Sequence, residues 1–385
     1  MSLLHWVWLG LAIQPGSQII DRILERFPDP EEFFLSGTEG IKEVGGIRER
    51  DAIRIRATTL DMAKEAIENA ENYGAKIISK DMDEFPKRLL DIETCPPVLY
   101  ALGDTKYLNT MPAIAIVGTR KLSDYGRKMA EIISGGLASS GVTVISGMAE
   151  GIDSEAHKAC LRNGGKTVAV QGCGICNTFP AGNVELKELI AANGVVISEF
   201  APDAEPQGSF FPIRNRLVSG MSLGVCVIEA AARSGTSITA NLALEQGRKV
   251  FAVPADVLRS TSQGTFRLLK QGAIPVARAS DILAEFSEQY PEIIERENTS
   301  GNRIIPSEEE IAPPAEPKKK TKKALPEGLS ENAAKIYKHI EHTPKFADEL
   351  SEKAELTAPE AAAALTELEL YGLIKPVAGR RFIIA

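Results

Sequence analysis

Arginine and hydroxyl-bearing residues occur in three short stretches of the sequence whose chemistry suits phosphate groups. An arginine can bind a phosphate through two parallel N–H donors. Hydroxyls and backbone N–H groups at the start of a helix also hold an anion well. The candidate binding residues in and beside these stretches are Gly118, Thr119, Arg120, Phe211, Arg214, Asn215, Arg216, Ser234, Gly235, Thr236, Ser237 and Thr239.

The elements that must position these residues are short apolar segments that alternate with helical ones. Continuous apolar runs indicate strands that are covered on both faces, as in a parallel sheet. The predicted strands are residues 113–117, 143–146, 167–170, 195–198, 225–228 and 250–253. We therefore predict an α/β, Rossmann-like, doubly wound and mostly parallel sheet, with a helix over about 125–139. In such a fold the loops at the strand ends share a crevice, so the three stretches are expected to lie together.

Phe210 and Phe211 lie just before the arginines, with Pro212 and Ile213 between Phe211 and Arg214. Most phenylalanines belong to the core. Beside a phosphate site, however, one of the pair could stack on an unpaired base, an interaction worth about 1–3 kcal/mol per base.

Other polar residues have ordinary explanations. Asp153 and His157 are four residues apart, with Glu150 nearby, which could serve acid–base chemistry or a metal. A helix capped by Asp153 with a hydrogen-bonded histidine is the favoured alternative. Cys173 and Cys176 have CxxC spacing without a second ligand pair, and residues 177–180 read as a loop, so coincidence is the favoured explanation.

The charge, the cysteines and the apolar N-terminus limit what kind of protein this can be. The chain has 385 residues and a net charge of −8, so a polyanion could bind only at a local basic patch. Five scattered cysteines fit a reducing compartment. The apolar residues 3–13 are too few to cross a bilayer, and we read them as a buried helix of a cytoplasmic protein.

The predicted domain order is a helical N-terminal domain (1–104), a Rossmann-like domain (105–286), a charged linker (287–324) and a winged-helix domain (325–385). Residues 40–53 partly match a helix-hairpin-helix that could bind phosphate, and a plain helical turn is the alternative. The second hairpin helix of the winged domain is acidic. The module is expected to touch protein, or to touch DNA only weakly through the wing at Arg380 and Arg381. The acidic residues of that helix are Glu360, Glu367 and Glu369.

Several signatures in the Rossmann-like region resemble the DNA-processing protein A family, also called the Smf family. They span nearly the whole parallel domain in the right order, and the helical (SAM-like or helix-hairpin-helix-like) N-terminus and winged C-terminus also fit. The matching segments are residues 116–120, 146–153, 212–222, 234–240, 245–254 and 262–273.

The resemblance implies a recombination mediator that binds and protects incoming single-stranded DNA in natural transformation. It also implies dimerisation through the Rossmann-like domain, loading of the RecA recombinase, and neither catalysis nor a cofactor. The family's DNA pocket carries over onto Arg120, residues 214–216 and residues 234–239. Ala181, Gly182 and Ile213 stand where the family often has charged residues, which thins the basic patch.

A nucleotide-binding enzyme is the alternative. Related Rossmann-like domains occur in nucleoside-monophosphate phosphoribohydrolases, and Gly235-Thr236 resembles their glycine-rich loop. Ser237, Ile238 and Thr239 follow, however, without the glutamate that the chemistry needs.

Overall fold

A computed structural model describes residues 2–110, 112–232, 234–291, 326, 328–340, 345–377 and 381–384. The chain forms two compact units, Met1–Asn302 and Arg303–Ala385. From residue 292 onward, the predicted linker lies outside the described residues. Among the helices described, none has the length and apolar character that a membrane crossing needs.

The first unit begins with five helices, and the apolar N-terminal segment is the first of them. The side chains of Trp6, Val7, Trp8 and Leu9 are buried there, which confirms the predicted buried helix. The Trp8 indole N–H donates to the Thr58 carbonyl at 2.9 Å and ties this helix to the fourth. The helices are α1 (Leu3–Ala12), α2 (Ile19–Arg26), α3 (Pro30–Val44), α4 (Glu49–Ala57) and α5 (Leu60–Asn72).

A glycine turn joins α3 to α4, as the partial helix-hairpin-helix match requires. Gly45 and Gly46 both have positive φ, 64° and 65°, a conformation that glycine adopts without strain. Phosphate binding at this turn stays a prediction.

A nine-stranded sheet forms the centre of the first unit, in the order β1-β2-β6-β5-β4-β3-β7-β8-β9. Strands β3 to β9 pair in parallel, whereas β2 pairs antiparallel with both β1 and β6. The strands are β1 (Lys76–Ser79), β2 (Val98–Gly103), β3 (Ala113–Val117), β4 (Thr143–Ser146), β5 (Thr167–Val170), β6 (Val195–Ser198), β7 (Gly224–Val227), β8 (Lys249–Ala252) and β9 (Ile274–Pro275).

The six predicted strands are present within one residue of their expected bounds, and the mostly parallel sheet is confirmed. Strands β1 and β2 come from the predicted helical domain yet hydrogen-bond into this sheet. The predicted boundary after residue 104 therefore lies within the first compact unit.

Helices cover both faces of the sheet, as the doubly wound prediction requires. One core joins α6, α7 and α12 to one face, and a second core joins α9, α10 and α11 to the other. The strand order reverses between β3 and β7, and ligands bind at this kind of reversal. The helices are α6 (Asp124–Ser139), α7 (Ile152–Arg162), α8 (Val184–Asn193), α9 (Phe210–Gly220), α10 (Gly235–Glu245), α11 (Gln263–Lys270) and α12 (Ala279–Ala284).

The second unit is a winged helix. Three helices, α13 (Glu331–His339), α14 (Ala347–Lys353) and α15 (Ala358–Leu370), enclose a small core around Ile336, Leu350 and Leu368. A three-stranded antiparallel sheet completes it, from β10 (Lys345–Phe346), β11 (Ile374–Val377) and β12 (Arg381–Ile384).

Two of the acidic residues on α15 make hydrogen bonds within the second unit. Glu360 completes a capping box with Thr357, and Glu367 accepts from the Ser330 backbone N–H at 2.8 Å. Arg380 and the side chain of Arg381, the predicted weak DNA contact, lie outside the described residues.

Candidate nucleic-acid site

A cavity of about 640 Å³ opens at the carboxyl ends of β3, β4 and β7. Ten of the twelve candidate residues line it, so the structure brings the three stretches together as expected. They are Gly118, Thr119, Arg120, Phe211, Arg214, Asn215, Ser234, Gly235, Thr236 and Thr239. Arg216 and Ser237 are not among the lining residues.

The loops after β3 and β4 interlock at the base of this cavity. The Ile152 N–H, at the start of α7, donates to the Thr119 carbonyl at 3.1 Å. Gly151 has φ 87°, and a Cβ there would lie 2.3 Å from the Thr119 oxygen. Only glycine permits this approach, which brings the loop after β4 against the loop after β3.

Arg214 is a fixed cation in the cavity wall. Only 3% of the residue is exposed, and its Nη1 donates to the carbonyls of Gly147 (2.7 Å) and Val170. Its Nε donates to Asn215 Oδ1 at 3.1 Å. Burial lowers the pKa of Arg214 to about 10, which leaves it charged at neutral pH. Its Nη2 has no hydrogen-bond partner within the described part of the chain, and this group remains for a ligand.

Arg216 points elsewhere, which corrects the expectation that both arginines face one site. Its Nη2 donates to Glu199 Oε2 at 2.5 Å, and both side chains are buried. Residues two positions apart on a helix diverge by about 200°, so the spacing itself excludes a shared direction. Burial raises the pKa of Glu199, against the effect of the arginine.

Asp153 also differs from its predicted role. Gly151 is the residue at the N-cap of α7, and the Asp153 carboxylate accepts instead from the Gly147 N–H at 3.1 Å. The backbone N–H groups of Gly118 and Ala149 also favour the charged form of this carboxylate. Burial raises the pKa of this carboxyl, which those bonds and Arg214 oppose. Asp153 therefore ties the two loops together.

Two aromatic side chains beside Arg120 form an aromatic wall of the cavity. The rings of Phe179 and Phe211 lie 5.2 Å apart at 45°, and both residues line the cavity. The Arg120 guanidinium lies 5.4 Å from the Phe211 ring centroid, within cation–π range. Phe210, by contrast, stacks on Phe200 at 4.2 Å.

Sequence reasoning did not identify Phe179 as a site residue. The signal that could have found it is its position in the loop after β5, at the same edge of the sheet as the other loops.

The start of α10 is open toward the cavity. Ser234, at its N-cap, makes no side-chain cap hydrogen bond, and its buried hydroxyl has no partner among the described residues. The space beside Gly235 is clear, since a Cβ there would meet nothing within 4 Å. N–H groups at such a helix end attract an anion. Arg233, just before this helix, lies outside the described residues.

The other polar candidates are accounted for within the fold. His157 is fully buried, its Nδ1 lies 2.6 Å from Thr167 Oγ1, and burial lowers its pKa to about 3. The hydrogen-bonded histidine of the favoured alternative is therefore confirmed, although the cap is not. Cys173 and Cys176 carry free thiols. The described residues include no cluster suited to a metal ion.

Comparison with known proteins gives the family. The model of DNA recombination-mediator protein A matches residues 76–287, and the DprA winged helix domain matches residues 320–380. Protein Smf of Synechocystis sp. is 30% identical, over 98% of each chain.

Two solved structures share the fold and the sequence. DNA processing protein A from Streptococcus pneumoniae has a TM-score of 0.65 at 31% identity, covering 74% of this chain and 99% of its own. DNA processing protein A from Helicobacter pylori, whose structure concerns its single-stranded DNA binding mode, has a TM-score of 0.51 at 29% identity. That match covers 57% of this chain and 99% of the other. With two family domains in order and a relative aligned along its whole length, the chain belongs to the DprA/Smf family of DNA recombination-mediator proteins.

Proposed function

We propose that this protein binds single-stranded DNA in the cavity and acts there as a recombination mediator. The observation that carries the proposal is the combination of a buried arginine, an open helix start and an aromatic wall in one cavity. An unpaired strand offers phosphates and exposed base faces side by side, whereas a duplex keeps its bases stacked inside. The Helicobacter pylori relative binds single-stranded DNA, which supports this proposal.

In the proposed complex a backbone phosphate lies against the N–H groups at the start of α10, with Arg214 Nη2 and Arg120 beside it. The adjacent base stacks on Phe179 or Phe211. Arg120 is exposed and lies near the Phe211 ring, so it can bind a phosphate or cover a stacked base.

The test uses Arg120→Ala with fluorescently labelled oligo-dT, followed by anisotropy at several salt concentrations. Loss of one charged contact should weaken binding by about tenfold. The slope of log affinity against log salt should fall by about 0.7, because one fewer phosphate is neutralised.

Lys128→Ala is the matched control, since Lys128 is an exposed cation of α6 that does not line the cavity. Lys128→Ala should change the affinity and the salt slope by less than Arg120→Ala does. Equal binding of the Arg120 variant and the parent at low and high salt would place the DNA elsewhere.

We extend the proposal to a lack of catalysis. Among the described lining residues Asp153 is the sole carboxylate, and backbone N–H groups engage it. A phosphoribohydrolase needs an acidic group beside the glycosidic bond. Incubation with AMP should therefore release no free base, and release in proportion to intact protein would support the enzymatic alternative.

The remaining parts of the proposal concern partners and location. They are protection of incoming DNA in natural transformation, loading of RecA, homodimerisation through the Rossmann-like domain, and a cytoplasmic location. The family supports them. Exposed apolar side chains on α10, on α11 and in the segment between β8 and α11 also suit a second copy of the chain. These are Leu244, Val257, Leu258 and Phe266.

Leu258, which is 89% exposed, offers a test of the dimer. Light scattering should give twice the chain mass for the parent and the monomer mass for Leu258→Glu. A monomeric parent at concentrations of tens of micromolar would contradict the proposed dimer.

A further inference from the structure

Four helices start at the edge of the sheet where the cavity lies. The first turn of α9, after β6, offers few donors, because Pro212 has no N–H and the Phe210 N–H donates to the Gln207 carbonyl at 2.9 Å. Three other helices start there. They are α6 after β3, α7 after β4 and α10 after β7. The N–H groups at each start could hold an anion, and dinucleotide-binding folds use the helix after the first parallel strand for a pyrophosphate. The three starts differ in what they already hold.

The start of α6 is occupied by the carboxylate of Glu229. Its Oε2 accepts from the Ser123 N–H at 3.0 Å, and its Oε1 accepts from the Ser123 hydroxyl at 2.6 Å. Glu229 is 1% exposed and rests against the first turn, where a Cβ on Gly126 would lie 2.0 Å from Oε2. An external phosphate cannot reach this helix end without displacing a buried carboxylate.

The loops that lead to α7 are occupied by Asp153. It accepts from the Gly147 N–H at 3.1 Å, and the N–H groups of Gly118 and Ala149 also stabilise its charged form. The Ile152 N–H donates to the Thr119 carbonyl, and the Thr119 N–H donates to the Glu229 carbonyl at 2.8 Å. These backbone donors on the β3 and β4 side of the cavity are therefore engaged before any ligand arrives.

The start of α10 is the exception among the three. It lines the cavity, it lacks a side-chain cap, and the buried Ser234 hydroxyl has no described partner. Arg214, which is 3% exposed, lines the same cavity. A Cβ on Gly147 would lie 2.5 Å from Arg214 Nη2 and 2.7 Å from Asp153 Oδ2, so these two groups are neighbours. A second phosphate attached to an anion at Arg214 would therefore approach the Asp153 carboxylate.

We propose that Asp153 is a specificity-determining residue that limits the cavity to a single phosphate, with Glu229 closing the neighbouring α6 position. Phosphodiester units of a polynucleotide and nucleoside monophosphates then fit, whereas the pyrophosphate of a nucleoside diphosphate, nucleoside triphosphate or dinucleotide does not. Like charges at close range and donors already in use both act against the second phosphate. This inference rests on the proposed function and names the ligand class of the same site.

The experiment measures competition against labelled oligo-dT in magnesium-free buffer at constant ionic strength. The competitors are dTMP, dTDP and inorganic pyrophosphate. We expect dTDP to compete no better than dTMP, within about threefold, although its greater charge would favour it at an ordinary cationic site. Competition by dTDP or pyrophosphate about tenfold stronger than by dTMP overturns the inference.

Failure of this inference is distinct from failure of the proposed function. If labelled oligo-dT does not bind, the proposed function fails. Calorimetric titration then measures the affinities for dTMP and for dTDP. Binding of dTDP about tenfold tighter than binding of dTMP would show that the cavity is not limited to a single phosphate. If oligo-dT binds and dTDP competes strongly, only the single-phosphate rule fails.

Asp153→Asn tests the residue itself, because it keeps the side-chain shape but replaces one acceptor oxygen by a donor. Freed backbone donors and a lost charge should raise competition by dTDP relative to dTMP by about tenfold. Glu150→Gln is the control, since Glu150 is exposed and lies outside the cavity lining. It should leave the ratio unchanged. Thermal melting followed by circular dichroism checks that Asp153→Asn is folded. An unchanged ratio of dTDP to dTMP competition in the folded variant refutes the role of Asp153. If the variant does not fold, the ratio measured with the parent protein decides.

Discussion

Arg214 and Arg216 lie two positions apart on α9, and their side chains leave the helix in opposite directions. Arg214 lines the cavity, whereas Arg216 forms a buried ion pair with Glu199. Three atoms of that pair, Arg216 Nε and Nη1 and Glu199 Oε1, have no hydrogen-bond partner among the described residues. Such a pair contributes little net stability, yet loss of one member is costly because it leaves an uncompensated buried charge.

Glu199→Ala should therefore lower the free energy of unfolding by about 3–5 kcal/mol. Replacing both members, as Glu199→Leu with Arg216→Met, should recover most of this loss, because no buried charge remains. Urea denaturation at neutral pH measures both variants. Equal losses in the single and the double variant would show that the pair stabilises the fold in its own right.

His157 gives the fold a dependence on pH. Thr167 donates its hydroxyl hydrogen to the Val144 carbonyl at 2.7 Å, so the network assigns the hydrogen between His157 and Thr167 to His157 Nδ1. The folded pKa of about 3 lies below the ordinary value of 6.5. Between these values the unfolded chain binds a proton that the folded chain does not, so stability falls as the pH falls.

His157→Gln should remove this dependence while keeping a donor toward Thr167. Between pH 7 and pH 5 the parent should lose about 2 kcal/mol more stability than the variant, from the 1.5 units between pH 5 and the unfolded pKa. Urea midpoints at the two pH values give the comparison. Parallel losses in parent and variant would mean that His157 accepts a proton in the folded state.

At the scale of elements, the cavity depends on how closely α9 and the loop after β4 approach each other. A Cβ at Gly147 would lie 2.5 Å from Arg214 Nη2 and 2.7 Å from Asp153 Oδ2. Gly147→Ala should therefore displace both groups and weaken oligo-dT binding by about tenfold, since such overpacking costs about 1–3 kcal/mol.

Gly182→Ala is the control for that substitution, because a Cβ at Gly182 meets nothing within 4 Å and Gly182 does not line the cavity. It should change affinity by less than about threefold. Anisotropy titrations with oligo-dT measure both variants. Unchanged binding by Gly147→Ala would show that the ligand does not need Arg214 in its present position.

The sequence predicted the elements that have a strong pattern and missed those without one. Buried parallel strands such as β3 are continuous apolar runs, which are easy to recognise. Strand β9 has two residues and carries no pattern, and β1 lies in a segment that otherwise reads as helical. The convergence of loops followed from the rule for parallel sheets. The direction of the Arg216 side chain could have been predicted from helix geometry. The hydrogen-bond partners of Asp153 could be identified only in the folded chain.

At the scale of the whole molecule, the proposed DNA site lies within one compact unit. The described lining residues all belong to Met1–Asn302. The second unit presents acidic residues on the helix that would enter a major groove, and phosphates repel such residues.

A chain that ends at residue 291 should therefore bind oligo-dT within about threefold of the full chain. Anisotropy with both proteins at the same salt concentration tests this. A loss of more than about tenfold would assign part of the DNA affinity to residues 292–385.

The hydrogen bonds that hold Arg214 also affect the thermodynamics of recognition. A flexible surface arginine carries about 2 kcal/mol of rotamer entropy, part of which is lost at each binding event. Arg214 gives up that freedom when the chain folds, as its bonds to Gly147, Val170 and Asn215 form. The protein thus meets its ligand with a preorganised cation, and association should proceed without a slow conformational step.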